Sequence, residues 1–381
     1  MAYPEKRCIT TSTNYNYIPQ YFLNPLNYIK RIPLVKKTIK PFVFIPVYNP
    51  KIDMYHSFND ICITNKKWVV TFETMLPRFD VVDGYHRQEQ ASYPYHKTVN
   101  SYLKKIAAPN CLAAIAISNS AFKIQERLLD SYPDVKDKIL GKTEIIYPPQ
   151  KKLTSKADIN KKNFSKLKMI FVGGDFYRKG GSEIVIAIDE LMSEQKLSEN
   201  ELEITLIGDL NNHHNYALNK YQDTKEYIDT IKNTINKRPN IKAFHRIENK
   251  HVLQMIKESH IGLLPTWADT FGYSVLEFQA SGCPVITTNV RALPEINNPK
   301  LGWMIDLDTN NLGELVINSS EKKQATRRKI IDSLKSIILE ALHDKELVKQ
   351  KAMEALDRIE SIHSIERYNQ RIKDIYDRPV S

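Results

Sequence analysis

Residues 263–296 read LLPTWADTFGYSVLEFQASGCPVITTNVRALPEI, and the reading of this stretch decides the fold. The apolar run ending at Pro265 has the length and composition of a buried strand. Gly272 opens a helix over 273–281, Gly282 and Pro284 close it, and 285–288 begins the next strand. Strand, loop, helix and strand in this order make one repeat of a parallel sheet. The first turn of the helix leaves backbone N–H groups without intrahelical partners, and the helix dipole makes that end partly positive. An anion binds there readily. Asp269 precedes the helix and Glu277 lies about one turn inside it. Carboxylates accept hydrogen bonds from the paired hydroxyls of ribose and hexose. The stretch predicts a site that holds a diphosphate on backbone amides and sugar hydroxyls on carboxylates. Ordinary helix capping is the plainer reading of the same two acids.

The alternation continues outward from this core. Strands are expected at 168–172, 203–207, 241–244, 261–265, 285–288 and 303–305. Helices are expected at 181–195, 221–236, 250–259 and 273–281, with a charged helical stretch over 324–365 broken into pieces. In the first half, 42–47, 54–56, 68–72 and 112–117 read as strands, and 95–106 and 121–131 as helices. Short continuous apolar strands alternating with helices predict an α/β fold with parallel sheets covered on both faces. The expected division is a first domain over 1–150, a polar, lysine-rich linker over 151–166 and a second domain over 167–355. A helix over 356–381 is expected to pack back toward the first domain.

A chain of 381 residues with 42% hydrophobic content can build two to three full-sized cores. Cys8, Cys62, Cys111 and Cys283 show no metal-like spacing and fit packing roles in a reducing compartment. No run of eighteen apolar residues and no secretory signal is visible, so a cytoplasmic protein is expected. The net charge of +11 is uneven, with 20 Lys/Arg against 12 Asp/Glu in residues 1–150. That excess predicts an anionic partner for the first half. The segment 28–40, YIKRIPLVKKTIK, mixes cations with apolar side chains and suits peripheral contact with an acidic membrane at the inner face of the cell. A solvated basic loop is the alternative. No basic–aromatic RNA module is visible, and no nucleic acid is expected.

Together these elements resemble glycosyltransferase family 4, retaining nucleotide-sugar transferases of the GT-B fold. The resemblance rests on four elements in order: MIFVGGDFYRKGG at 169–181, LIGD at 206–209, the acid pair Asp269 and Glu277, and LPEI at 293–296 followed by GWMIDLD at 302–308. Weaker matches lie at DMYHSFN (53–59), WVVTFET (68–74), AISNSAFKIQERL (116–128) and EIIYPP (144–149). The implied fold is two Rossmann-like domains facing each other across a cleft, with the donor on the second and the acceptor on the first.

The resemblance also implies roles. Lys179 and Arg178 bind the donor diphosphate, and Gly173 and Gly174 let the backbone pass close to it. Phe271, Gly272 and Tyr273 contribute amides to the phosphates. Glu277 holds the ribose, and Asp269 holds hydroxyls of the transferred sugar. The donor is expected to be a UDP- or GDP-linked sugar acting as substrate, with no cofactor and no metal. The acceptor is a saccharide or lipid-linked saccharide, in bacterial surface polysaccharide or glycolipid synthesis.

Three departures from the family pattern matter. The first acid is Asp rather than Glu, which shortens its reach by ~1.5 Å. An arginine common in the family is replaced by Gly174, which shifts phosphate binding toward Arg178. A histidine common at the end of one first-domain strand is replaced by the run Thr71-Phe72-Glu73, so Glu73 becomes a candidate to position the acceptor or take its proton. A pair with Arg78 is its plainer reading. His86 and His56 are further candidates to face the acceptor, His245-Arg246 to meet the nucleotide, and Trp267 to stack or to pack its loop. Asp306 and Asp308 read as solvated. Two other readings stay open: another GT-B enzyme, either an inverting transferase or a nucleotide-sugar epimerase, and a non-catalytic basic protein that binds nucleic acid or lipid.

Overall fold

The computed structural model describes residues 42–46 and 52–379. The basic segment 28–40 and Cys8 lie outside them. The chain divides into two compact units, one formed by residues up to 148 together with 365 onward, the other by 149–364.

The first unit holds β1 (Val43–Phe44), β2 (Met54–Phe58), β3 (Ile61–Cys62) and β4 (Lys67–Phe72), followed by α1 (Lys97–Ala107) and β5 (Cys111–Ala116). Helices α2 (Asn119–Leu129) and α3 (Pro133–Leu140) and strand β6 (Thr143–Ile145) complete it before the chain leaves. The main sheet has the order β2-β4-β5-β6 and is parallel throughout. A separate parallel pair joins β1 to β3. Strands β4 and β5 are buried almost end to end, as their unbroken apolar sequences require.

The second unit begins with α4 (Lys156–Asn160), β7 (Leu167–Asp175), α5 (Gly181–Ser193), β8 (Leu202–Asp209), α6 (Lys225–Lys237) and β9 (Ile241–Phe244). It continues through α7 (Asn249–Glu258), β10 (Ile261–Leu264), α8 (Tyr273–Ala280), β11 (Val285–Thr288), α9 (Leu293–Ile296) and β12 (Trp303–Ile305), and ends with α10 (Ser320–His343) and α11 (Lys345–Ile362). Its six strands are parallel in the order β12-β11-β10-β7-β8-β9. The chain therefore runs from β7 outward to β9, returns to β10 beside β7, and runs outward the other way. This reversal makes the C-terminal ends of β7 and β10 the topological switch point, where such sheets hold ligands.

The chain returns to the first unit as α12 (Ile365–Tyr376). Its Ile372 and Ile375 are buried against Val69, Leu112, Ile115 and Ile146 of the first sheet. The unit boundaries fall at 148/149 and 364/365, where the sequence reading places breaks at 150, 166 and 355. The stretch expected as a linker contains α4, which Ser155 caps with a reciprocal pair of bonds to Asp158. Ile159 of that helix is buried with Ala352 and Leu356 of α11, so the polar lysine-rich composition conceals one apolar anchor. Cys62, Cys111 and Cys283 are free and buried. Burial pushes the Cys62 and Cys111 thiols up to about 12, so they stay protonated at neutral pH. No helix among the described residues is long and apolar enough to cross a membrane.

Candidate functional site at the ends of β7 and β10

Two loops build the candidate site, one after β7 and one after β10. They are fastened to each other through backbone. The Trp267 amide donates to the Arg178 carbonyl at 2.9 Å, and the Thr266 hydroxyl donates to the same carbonyl at 3.1 Å. Gly180 makes this approach possible. It has φ +86, and a Cβ there would lie 2.1 Å from the Pro265 carbonyl oxygen. The two loops thus form one pad, and Lys179 and Asp269 stand on it.

Lys179 Nζ lies 3.3 Å from Asp269 Oδ2. The other oxygen, Oδ1, accepts from the amides of Gly272 at 3.1 Å and Phe271 at 3.4 Å. Burial pushes the Asp269 carboxyl up, but the cations Lys179 and Arg178 outweigh it, and the net effect is below the ordinary carboxylate range. Gly272 is the N-cap of α8 at φ +86, and no side chain caps that helix from the N-cap position. A Cβ at Gly272 would meet Leu293 Cδ2 at 2.5 Å, so the tip of α8 is seated on the LPEI turn. Glu277 is half-buried one turn into α8. Phe271 is buried, with its ring 5.0 Å from that of Tyr273.

The remaining predicted donor residues divide by their surroundings. Gly173 leaves room for the Lys179 side chain, since a Cβ there would lie 2.7 Å from Lys179 Cδ. Gly174 faces open space. Arg178, expected from the resemblance to bind phosphate, makes three contacts within the protein. Its guanidinium pairs with Asp175, donates to the Ala268 carbonyl and lies 5.1 Å above the Tyr216 ring. It serves as a clip between the two loops. Asn212 Nδ2 holds the second Asp175 oxygen at 2.8 Å.

A buried ionic cluster supports the pad from behind. Arg327 of α10 donates to Glu183 of α5 at 3.0 Å and to both oxygens of Asp223 at 2.8 and 2.9 Å. Its guanidinium lies 4.3 Å over the Tyr227 ring and 5.5 Å over the Trp267 ring. Trp267 is 1% exposed, so it packs its loop and offers no open stacking surface. The sequence reading missed Arg327, Glu183 and Asp223. The available signal was Glu183, an acid in the otherwise apolar run GSEIVIAI at 181–188.

The predicted acceptor-side residues lie in the first unit. Glu73 follows β4. Its carboxylate accepts from Arg78 at 3.1 Å and Asn59 at 3.4 Å, and its amide donates to Asn59 at 3.1 Å. The pair with Arg78 matches the plainer of its two readings. His86 sits in a 3-10 turn, Tyr85–Arg87, and is only 1% exposed. Gly84 precedes the turn at φ +87. Both His56 nitrogens are engaged, with Tyr376 Oη at 2.6 Å and Thr71 Oγ1 at 2.7 Å, and so tie α12 to the sheet.

Elsewhere, His245 Nδ1 is 3.3 Å from Asp209 at the end of β8. Asp306 accepts from Asn289 at 2.6 Å, and Asp308 pairs with Lys322. Among the described residues no cluster of three or more His, Cys, Asp or Glu side chains has metal-site geometry.

The chain is similar to known proteins in part of its sequence and in its fold. Residues 154–337 match the sequence model of the family described as glycosyl transferases group 1. A curated relative, an uncharacterized 41.2 kDa protein in the cps region of Klebsiella pneumoniae, is 27% identical over 153 residues. That match spans 35% of this chain and 43% of the relative, less than half of its length. Among solved structures, Anabaena HepE in complex with UDP and glucose aligns with a TM-score of 0.54 at 14% identity, covering 95% of this chain and 84% of that one. A trehalose-6-phosphate protein from E. coli bound with UDP-2-fluoro glucose aligns with a TM-score of 0.54 at 11% identity, covering 84% of this chain and 69% of that one. Sucrose-phosphate synthase from Thermosynechococcus elongatus aligns at 0.52 and 15% identity, over 82% and 68% of the two chains. The chain has the GT-B fold, and its residues 154–337 are similar to the glycosyl transferases of group 1.

Proposed function

We propose that the chain is a retaining glycosyltransferase that moves a sugar from a nucleoside diphosphate to an acceptor hydroxyl. The observation that carries this reading is the meeting of the α8 tip with Lys179 at the ends of β7 and β10. The helix tip is partly positive, and the lysine adds a full charge beside it. A diphosphate leaving group is the largest charge such a reaction develops, and fixed cations and amides aimed at it lower the barrier. Lys179 has three N–H donors, so its pair with Asp269 leaves donors for phosphate oxygens. Glu277, half-buried on α8, accepts from the ribose hydroxyls. Retention follows if the departing phosphate takes the acceptor's proton on the face it leaves from.

The donor we expect is a UDP- or GDP-linked sugar. The complexes of HepE with UDP and glucose support this class. The acceptor we expect is a saccharide or lipid-linked saccharide, in the assembly of a surface polysaccharide or glycolipid, a reading in keeping with the relative from a cps region. Thermal-shift measurements with UDP, GDP, ADP and their sugars test the reading. One nucleotide family should raise the melting temperature of the wild type, and Lys179→Ala and Glu277→Ala should each abolish that rise while keeping the wild-type circular dichroism spectrum. No rise with any of them, or full transfer activity in both variants, would end the assignment. NMR of the anomeric proton of the product tests retention.

A further inference from the structure

A hollow of about 400 Å³ lies apart from the pad, between the loop after β8 and the first two turns of α6. Asn211, His213, Asp223, Lys225, Asp229 and Lys232 line it. Its volume falls in the range of small-molecule sites, about 300–1,000 Å³. Part of the lining is fixed from behind. The Asp223 side chain is 4% exposed, and Arg327 and Lys323 hold its oxygens. Those two cations balance Asp223 and Glu183, so the buried cluster adds no net charge to the hollow. The Asn211 amide donates to Asp209 Oδ1 at 2.8 Å, and its side-chain oxygen accepts from Lys232 Nζ at 3.0 Å. The Asn211 carbonyl lies 2.9 Å from His213 Nδ1. A carbonyl oxygen can only accept, so Nδ1 carries the proton, and Nε2 of the neutral ring is an acceptor.

The charges at the mouth are not spent on one another. Lys225, Asp229 and Lys232 share one face of α6, at spacings where opposite charges on a helix pair. Among the described residues the Lys225 and Asp229 side chains make no hydrogen bond or ion pair, and Lys232 meets only Asn211. The two lysines outnumber the acid, so the hollow favours an anion. Seven residues of helix rise about 10.5 Å, and two lysine stems of about 6 Å each can close on one group between them. No Phe, Tyr or Trp side chain among the described residues lines the hollow, so a nucleobase has no ring to stack on.

We propose that this hollow binds a sugar phosphate, with the phosphate between Lys225 and Lys232 and the sugar hydroxyls on Asp229, Asn211 and His213 Nε2. A phosphate monoester carries about −1.5 to −2 charge near neutral pH, which suits two ammonium groups. Carboxylate, carboxamide and imidazole together supply the acceptors and donors that hydroxyls need. The inference does not rest on the nucleotide-sugar reading, because Lys179, Asp269 and the tip of α8 take no part in it.

Calorimetric titration with glucose 6-phosphate, glucose and inorganic phosphate tests it, on the wild type, a Lys225→Ser/Lys232→Ser double variant, Asp229→Asn and Lys179→Ala. The wild type should bind glucose 6-phosphate about tenfold or more tighter than either of the other two, and the double lysine variant should lose that margin. Asp229→Asn should weaken glucose 6-phosphate by about threefold or more and leave inorganic phosphate within about twofold. Lys179→Ala should leave glucose 6-phosphate within about twofold of wild type, since it alters the pad alone. Circular dichroism should show all variants folded, because the four side chains change no core packing. Binding lost in Lys179→Ala but kept in the double variant would place the ligand on the pad and overturn the proposal. Equal affinity for inorganic phosphate, equal affinity for glucose, or no binding by the wild type would overturn it as well.

Discussion

Replacing Arg327 by Met tests whether the pad depends on the ionic cluster behind it. The substitution keeps an unbranched apolar stem and removes three hydrogen bonds, one to Glu183 and two to Asp223. Glu183 has a fully buried side chain and would keep only the Ser182 hydroxyl at 2.9 Å. Asp223 would keep Lys323 at 3.3 Å. Breaking a buried ion pair by deleting one partner costs about 3–5 kcal/mol, mostly the penalty of the charge left behind. For a unit of this size each kcal/mol lowers the melting temperature by about 2–4 °C, so a drop of roughly 6–20 °C is expected. Urea unfolding at 25 °C, followed by tryptophan fluorescence, gives the free energy, because Trp267 and Trp303 both lie in this unit. A double-mutant cycle with Glu183→Gln isolates the pair, and a coupling of about 0.5–3 kcal/mol is expected for residues in direct contact. A loss below about 1 kcal/mol for Arg327→Met, or additivity within about 0.5 kcal/mol in the cycle, would refute the cluster as a support.

Gly180→Ala should destabilise the second unit by about 2–5 kcal/mol, from the left-handed backbone and the overlap with Pro265, and should remove the nucleotide-induced thermal shift. Gly174→Ala, which meets nothing within 4 Å, should stay within about 0.5 kcal/mol of wild type, and equal effects of the two would contradict the geometry. On α5, bonds from Arg328, assisted by Lys335 and opposed by partial burial, hold the Glu190 carboxyl at about 2, below its ordinary 4.5. Its folded-state pKa lies below its unfolded value, so its contribution is complete above pH 4.5 and disappears as pH falls toward 2. The stability gap between wild type and Arg328→Ala should therefore narrow across that window in acid titrations monitored by circular dichroism. A gap independent of pH would count against the pair.

Much of the second unit was legible because its signals are local. A buried parallel strand is a short apolar run, and an adjoining helix carries its own glycine and proline stops. The expected strands at 241–244, 285–288 and 303–305 appear with the same bounds. Gly272 as the helix opener was readable for the same reason. The 151–166 stretch was not, because lysines dominate its composition while the decisive residue is one isoleucine, Ile159, packed against α11 nearly two hundred residues later. Arg178 read as a phosphate ligand from its place beside Lys179. Its pair with Asp175 is local, but its contacts with Ala268 and Tyr216 lie 90 and 38 residues away in the chain.

The sequence alone determined that a helix tip and two acids end up beside a strand of a parallel sheet. That follows from spacing within about fifteen residues. Tertiary structure alone decided what those groups touch. It paired Lys179 with Asp269 across 90 residues and turned the acid's second oxygen onto two amides. It also put a buried arginine from α10 behind the loop that carries them. Backbone preferences act between near neighbours and are written locally. A salt bridge or a cap across loops depends on where the folded sheet brings distant residues, and one-dimensional spacing does not encode that distance.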